Sequence, residues 1–258
     1  MNGRPSYQPI DFLGDPPPRD FLILMAVLFV TFSMGFFPWT QPLMGLLYLS
    51  PDVWQRGFLW QLVTYLFAAL PDQPFWFLVT LLILYLFGKQ VRSYLRRRQF
   101  WQLLLQAGLT ASLVAVGVQL LISAAGWRTL PFLLMQGDRM VLAILIAAYA
   151  TMFRQAVIRL FFVLPIKARD FLWLEILFAF MAFLTTRDFA GFVGITTAVA
   201  TTYGLLTGGL RKMLREWRLR IERLLIEMRL RFLRRKRKMR LVKPDDGGDA
   251  RRQDPWVH

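Results

Sequence analysis

At 258 residues, 56% hydrophobic, with a mean hydropathy of +0.42 and 23 Phe and 9 Trp, the chain carries more apolar surface than one globular core can hide. That excludes a soluble domain and leaves a polytopic membrane protein. With no cysteine, disulfides, thiol catalysis and thiolate metal sites are excluded too. The formal net charge is +16, but 15 Lys/Arg against 3 Glu between Arg211 and Lys243 put +12 of it in one segment.

The chain opens with a polar stretch, Met1 to Asp20, interrupted by Pro5, Pro9 and Pro16-Pro17-Pro18. It lacks the basic-then-apolar order of a signal peptide and reads as a flexible cytoplasmic lead over residues 1–20. Phe21 to Phe37 is nearly uncharged and predicts the first span. The connection Pro38 to Phe58 is long and carries Leu43, Leu46, Leu47, Tyr48, Leu49, Val53 and Trp54. That content predicts a folded element resting in the lipid interface. After the break Pro71-Asp72-Gln73-Pro74, an apolar run from Phe75 to Phe87 ends in Gly88 and predicts the second span. The basic block from Lys89 to Arg98 then stops it, as expected at a cytoplasmic face.

Phe100 to Ala125 predicts the third span, with Gln102, Gln106 and Gln119 expected to face protein. Met140 to Phe153 predicts a fourth span of about 21 Å at 1.5 Å per residue, short enough to need shielding by neighbours or a thinned bilayer. Phe171 to Thr186 and Gly191 to Gly209 complete six. With the N-terminus cytoplasmic, the inner connections hold Lys89, Arg92, Arg96, Arg97 and Arg98, then Arg154, Arg159, Lys167 and Arg169. The outer ones hold Arg56, then Arg128 and Arg139, then Arg187. Every crossing obeys the positive-inside rule. The expected fold class is therefore an all-α polytopic bundle over residues 21–209, with both termini cytoplasmic.

In the sixth span Gly194, Ala198 and Thr202 lie four apart, as do Ala200, Gly204 and Gly208. Both rows suit close helix packing; a polar pathway along Thr196, Thr197, Thr201 and Thr202 is the other reading. Beyond it, Leu210, Leu214, Trp217, Ile221, Leu224 and Met228 alternate steps of four and three, a heptad seam on an Arg-rich helix over 210–243. If continuous with the sixth span, this helix projects about 45 Å from Leu210 to Arg240. The seam, with Arg234, Arg235 and Arg237, offers a surface to anionic lipid, where each cation contributes about 1 kcal/mol, or to a partner helix or another copy. Nucleic acid is disfavoured, because no reader motif accompanies the charge. Residues 244–258 read as a disordered tail.

Several of these stretches resemble the rhomboid superfamily. Leu59-Trp60-Gln61-Leu62-Val63-Thr64-Tyr65 is similar to the signature closing that family's first loop, and Leu164-Pro165-Ile166-Lys167-Ala168-Arg169 to the segment before its fifth span. Six spans, a structured first loop, a short fourth helix and a small-residue sixth helix also match, over roughly residues 20 to 210. Active members are intramembrane serine hydrolases. They carry a nucleophilic serine in a Gly-x-Ser-Gly motif at the start of the fourth span and a histidine base in the sixth. A histidine and an asparagine in the second span stabilise the oxyanion. The resemblance puts these last two positions at Trp76 and Thr80. It puts the motif on Gly137-Asp138-Arg139-Met140, with Arg139 at the nucleophile, and the base at Thr197.

Hydroxyl activation needs a base within hydrogen-bond reach, and the one histidine of the chain is His258, beyond the tail. No lysine lies within an assigned span to replace it. The resemblance thus implies a catalytically inactive bacterial rhomboid-like protein, a pseudoprotease of the inner (cytoplasmic) membrane with its tail cytoplasmic. Arg139 either projects into the former catalytic cavity or snorkels to the outer interface. Trp76 either fills the former oxyanion pocket or offers a ligand platform. Glu175, the acidic residue well inside a span, is a functional candidate by default, although near the cytoplasmic boundary a hydrated or hydrogen-bonded structural role is equally open. No metal or cofactor constellation is present.

Two functions follow. One is an adaptor or regulator that binds transmembrane clients and steers their degradation or assembly. The other is a structural or accessory subunit of a larger membrane complex docked through the basic helix.

Overall fold

A computed structural model describes residues 16–71, 73–126, 132–133, 135–160 and 164–209. The chain divides into two compact units, Met1–Leu210 and Arg211–His258, and the described residues belong to the first. The tail positions Leu214, Trp217, Ile221, Leu224, Met228, Arg234, Arg235 and Arg237 lie outside the described residues, as do residues 1–15.

The described residues are built on six helices of sixteen residues or more. These are α1 (Arg19–Met34), α5 (Pro74–Tyr94), α6 (Arg97–Ala124), α7 (Gly137–Met152), α8 (Phe171–Thr186) and α9 (Phe189–Leu206). Three short helices, α2 (Gln41–Leu47), α3 (Asp52–Gln55) and α4 (Gln61–Thr64), with a 3-10 turn at Tyr65–Phe67, fold the first long connection. Among the described residues, three helices are long and apolar enough to cross a membrane: α5, α6 and α9, of 21, 28 and 18 residues. A bilayer core of about 30 Å takes roughly 20 apolar residues, so these three make the chain a membrane-associated protein.

The helix ends follow local chemistry. Pro74 occupies the first turn of α5, where its missing N–H costs nothing. Arg187 takes a left-handed φ of 57° to end α8, and the Asp188 carboxylate accepts the Gly191 N–H at 2.9 Å to start α9, a helix cap in a two-residue corner. Gly208 adopts a φ of 73°, conformationally open to glycine. The helical path of α9 ends at Leu206.

Packing is centred on α7, where Met140, Val141 and every residue from Ala143 to Thr151 are buried. Neighbouring helices shield this short helix. One end of the structure gathers the starts of α1, α6 and α8 and the ends of α5, α7 and α9. There Asp20 pairs with Arg92 at 2.7 Å, Phe21 meets Phe100, Tyr94 meets Phe153, Phe87 meets Phe171, and the Arg154 guanidinium donates to the Tyr203 hydroxyl at 3.2 Å. Successive long helices consequently alternate in direction. Among the described residues this end holds Arg19, Lys89, Arg92, Arg96, Arg97, Arg98, Arg154, Lys167 and Arg169, and the opposite end Arg56, Arg139 and Arg187.

Close approach relies on glycine. A Cβ on Gly88 would lie 2.4 Å from the Phe21 ring and 3.1 Å from Leu145, so Gly88 lets α1 and α7 press against α5. It does not end the helix, which runs on to Tyr94. Gly194, Ala198 and Thr202 are all buried, and Gly194 faces Ala111 and Ala115 of α6. The second row is no internal interface, because Ala200 is exposed.

One further expectation fails. Gln102 and Gln106 are exposed; the buried stripe of α6 runs Phe100, Leu103, Leu104, Ala107, Gly108, Ala111, and both amides fall between its rows, leaving only Gln119 buried. The fold is helical, as expected, with one short irregularity. The connection after α7 forms an antiparallel hairpin, β1 (Val157–Leu160) with β2 (Leu164–Lys167), registered Val157 to Lys167 and Leu160 to Leu164. β-branched Val157 and Ile158 suit a strand.

Candidate functional site

The end opposite the basic one is organised by the first connection. Gln61 is fully buried; its amide oxygen accepts from the Ser50 hydroxyl at 2.9 Å and the Ser50 N–H at 3.2 Å, and its Nε2 donates to the Gly45 carbonyl at 3.2 Å. Such saturation is what permits a buried amide. Trp60 Nε1 donates to the Leu46 carbonyl and the Thr64 hydroxyl to the Leu47 carbonyl. The residues Trp60 to Tyr65 thus knit α2 to α4.

This folded connection is fastened to three helices. The Tyr65 hydroxyl donates to the Gly108 carbonyl at 2.9 Å and the Ser112 hydroxyl to the Leu62 carbonyl at 3.0 Å, both on α6. The Thr31 hydroxyl of α1 donates to the Phe67 carbonyl and accepts the Ala69 N–H. At α7, Gly137 N–H donates to the Ala68 carbonyl at 3.0 Å. A Cβ on Gly137 would lie 1.9 Å from the Tyr65 carbonyl oxygen. Only glycine permits this contact of backbone on backbone, and it sets where α7 begins.

Immediately after it come Asp138, buried, and Arg139, exposed. Together with Gln73, Trp76 and Thr80 from the start of α5, and Gln136, they line a small cleft with about 30 Å³ of room, roughly enough for one or two waters. Of the four positions singled out by the rhomboid resemblance, Trp76, Thr80 and Arg139 meet here. Thr197 does not; it sits half-buried on α9 and is no part of the lining. Trp76 is 61% exposed, a rim residue and not a filler of the interior.

Asp138 opens a helix N-terminus, where a carboxylate is favoured. Behind it, burial and then the charge of Asp138 push the Tyr48 hydroxyl up to about 12. Tyr48 therefore stays protonated and donates to the Ala69 carbonyl at 3.1 Å. The cleft offers a carboxylate, a guanidinium, two amides and a hydroxyl beside an indole, a hydrogen-bonding surface for a polar group. Sequence reasoning missed Gln73, Gln136 and Tyr48. Gln73 was visible only as part of a proline break, and Gln136 as the residue before Gly137.

Glu175 lies half-buried on α8, and it makes no hydrogen bond or ion pair among the described residues. Among the described residues there is also no group of three His, Asp or Glu able to hold a metal ion. Comparison with known proteins finds no matching family model and no matching curated protein.

Proposed function

We propose that the chain is a rhomboid-like six-span membrane protein that has no protease activity and binds transmembrane segments of other proteins, as an adaptor or regulator of their degradation or assembly. The observation that carries this reading is the cleft. Three of the four positions that would hold the family's catalytic groups converge there as Trp76, Thr80 and Arg139, and the histidine that a serine hydrolase needs as base is absent from every span. The basic end of the helices supports a cytoplasmic assignment of that end. It also supports counting α1, α7 and α8 as spans, each about 24 Å long, beside the three longer ones.

The route we assign to such a segment runs between α5 and α8, which meet through Phe87 and Phe171, with α7 packed against both. A helix entering there would lie on a buried, small-residue bundle, with its end beside the polar cleft. Co-purification after mild solubilisation tests the proposal. An adaptor brings down many single-span proteins at substoichiometric levels, whereas one partner at constant stoichiometry contradicts it and supports the accessory-subunit reading.

A further inference from the structure

The face of α6 turned away from the bundle is not uniformly apolar. Opposite the buried stripe of this helix, the outward positions run Gln106, Leu109, Leu113, Gly117 and Leu120, at helical spacings of three, four, four and three. Gln106, Leu109, Leu113 and Leu120 are exposed. Gly117 is half-buried, and a Cβ built on it meets nothing within 4 Å, which leaves a notch in the seam. Because α6 is long and apolar enough to cross a membrane, this face looks onto lipid.

Gln106 is the member of this seam that lipid accommodates poorly. It lies about 13 Å along the helix from Arg97 at 1.5 Å per residue, well inside a hydrocarbon core of about 30 Å. An exposed amide at that depth has given up its water. Gln102, also exposed, stands one turn earlier, about 7 Å from Arg97, where headgroup water reaches it. A carboxamide carries both donors and an acceptor, so its complement is another carboxamide, and the rest of the seam is apolar and uncharged. Such a face is complementary to itself. Copies of one chain share one orientation in the membrane, so a two-fold axis along the membrane normal sets two α6 helices side by side in parallel. Gln106 then stands opposite Gln106 at the same depth.

We propose that two copies of the chain associate through this face of α6, the Gln106 amide of each donating to the side-chain oxygen of the other. Leu109 and Leu113 pack across the seam, and the notch at Gly117 lets the two helices approach. The opposite face of α6 already holds α9 and the first connection, so association uses a surface the bundle leaves over. No residue of α6 lines the cleft, and self-association stands independently of the binding of transmembrane segments.

The test uses full-length protein, one batch labelled with a fluorescence donor and another with an acceptor, mixed in phosphatidylcholine vesicles over a range of protein-to-lipid ratios. Energy transfer is expected to fall on dilution in lipid as a dimer dissociates. Gln106→Leu, a change at an exposed position, is expected to weaken association about tenfold, and Gln102→Leu less than about twofold. Because the chain has no cysteine, single cysteines then report the face. Oxidised Leu113→Cys protein is expected to cross-link to itself, and Phe178→Cys protein, altered at an exposed position of α8, to remain uncross-linked. Absence of energy transfer above that of randomly mixed monomers overturns the proposal without relying on any variant. Association that survives Gln106→Leu unchanged overturns it as well, as does cross-linking through Phe178→Cys in place of Leu113→Cys.

Discussion

Replacing Gly137 by alanine tests how the cleft is held. The new methyl carbon would lie 1.9 Å from the Tyr65 carbonyl oxygen and 2.8 Å from that of Ala68. Both obstacles are backbone in a segment tied to α6 and α1, so neither swings away as a side chain would. Relief requires α7 and the first connection to separate by more than about 1 Å, an overpacking cost of roughly 1–3 kcal/mol. The same shift lengthens the 3.0 Å bond from Gly137 N–H to the Ala68 carbonyl, costing about 1 kcal/mol more. The expected loss is about 2–4 kcal/mol, a large share of the roughly 5–15 kcal/mol that holds a domain folded. Unfolding by denaturing detergent in mixed micelles reads this directly. Gly117→Ala is the control, because a Cβ there meets nothing within 4 Å; it should leave stability unchanged or raise it by up to about 1 kcal/mol. A Gly137→Ala protein within about 0.5 kcal/mol of the unaltered one would refute the docking of the first connection on α7.

At the basic end, burial raises the Asp20 carboxyl, but the hydrogen bond and charge of Arg92 outweigh it and hold the group below its ordinary 3.8. The depressed value makes the pair a stabilising contribution above about pH 4 that fades as pH falls through the folded value. A double-mutant cycle of Asp20→Asn and Arg92→Gln should read about 1.5–3 kcal/mol of coupling at pH 7 and little at pH 3. At the α8–α9 corner, burial outweighs the bonds from Gly191 and Leu133 and raises the Asp188 carboxyl. Its stabilisation is therefore full below about pH 4 and is lost as pH rises through the folded value. Asp188→Asn keeps the cap without the charge and should match or exceed the unaltered protein at pH 7. Asp188→Ala should lose about 1 kcal/mol.

Much of the helical frame was legible because apolar runs and their stops are local properties. Phe171 to Thr186 is bounded in the structure as its composition predicts, while α5, α6 and α7 each begin one to three residues earlier than their apolar runs. Helical spacing separated Gln119 from Gln102 and Gln106 only once the buried stripe of α6 was known, since a glutamine in an apolar run carries no sign of its facing. The hairpin at Val157–Lys167 was hidden because two four-residue strands give too few alternations to register. Gly88 looked like a boundary and Gly137 like the first residue of a motif; each makes a close contact, with Phe21 and with the Tyr65 carbonyl, partners 67 and 72 residues away in sequence. The buried network around Gln61 was equally invisible, since Ser50 and Gly45 are unremarkable until the connection folds. Trp76, Thr80 and Arg139 were singled out through resemblance alone, and periodicity would not have gathered them.

The central proposal is a rhomboid-like scaffold that holds a transmembrane segment without cutting it. Purified protein in proteoliposomes, incubated with a tagged single-span substrate and then recovered by affinity, addresses this most directly. The account predicts that the substrate is recovered bound and at full length. Cleavage fragments, abolished by changing a span serine such as Ser112 to alanine, would contradict it.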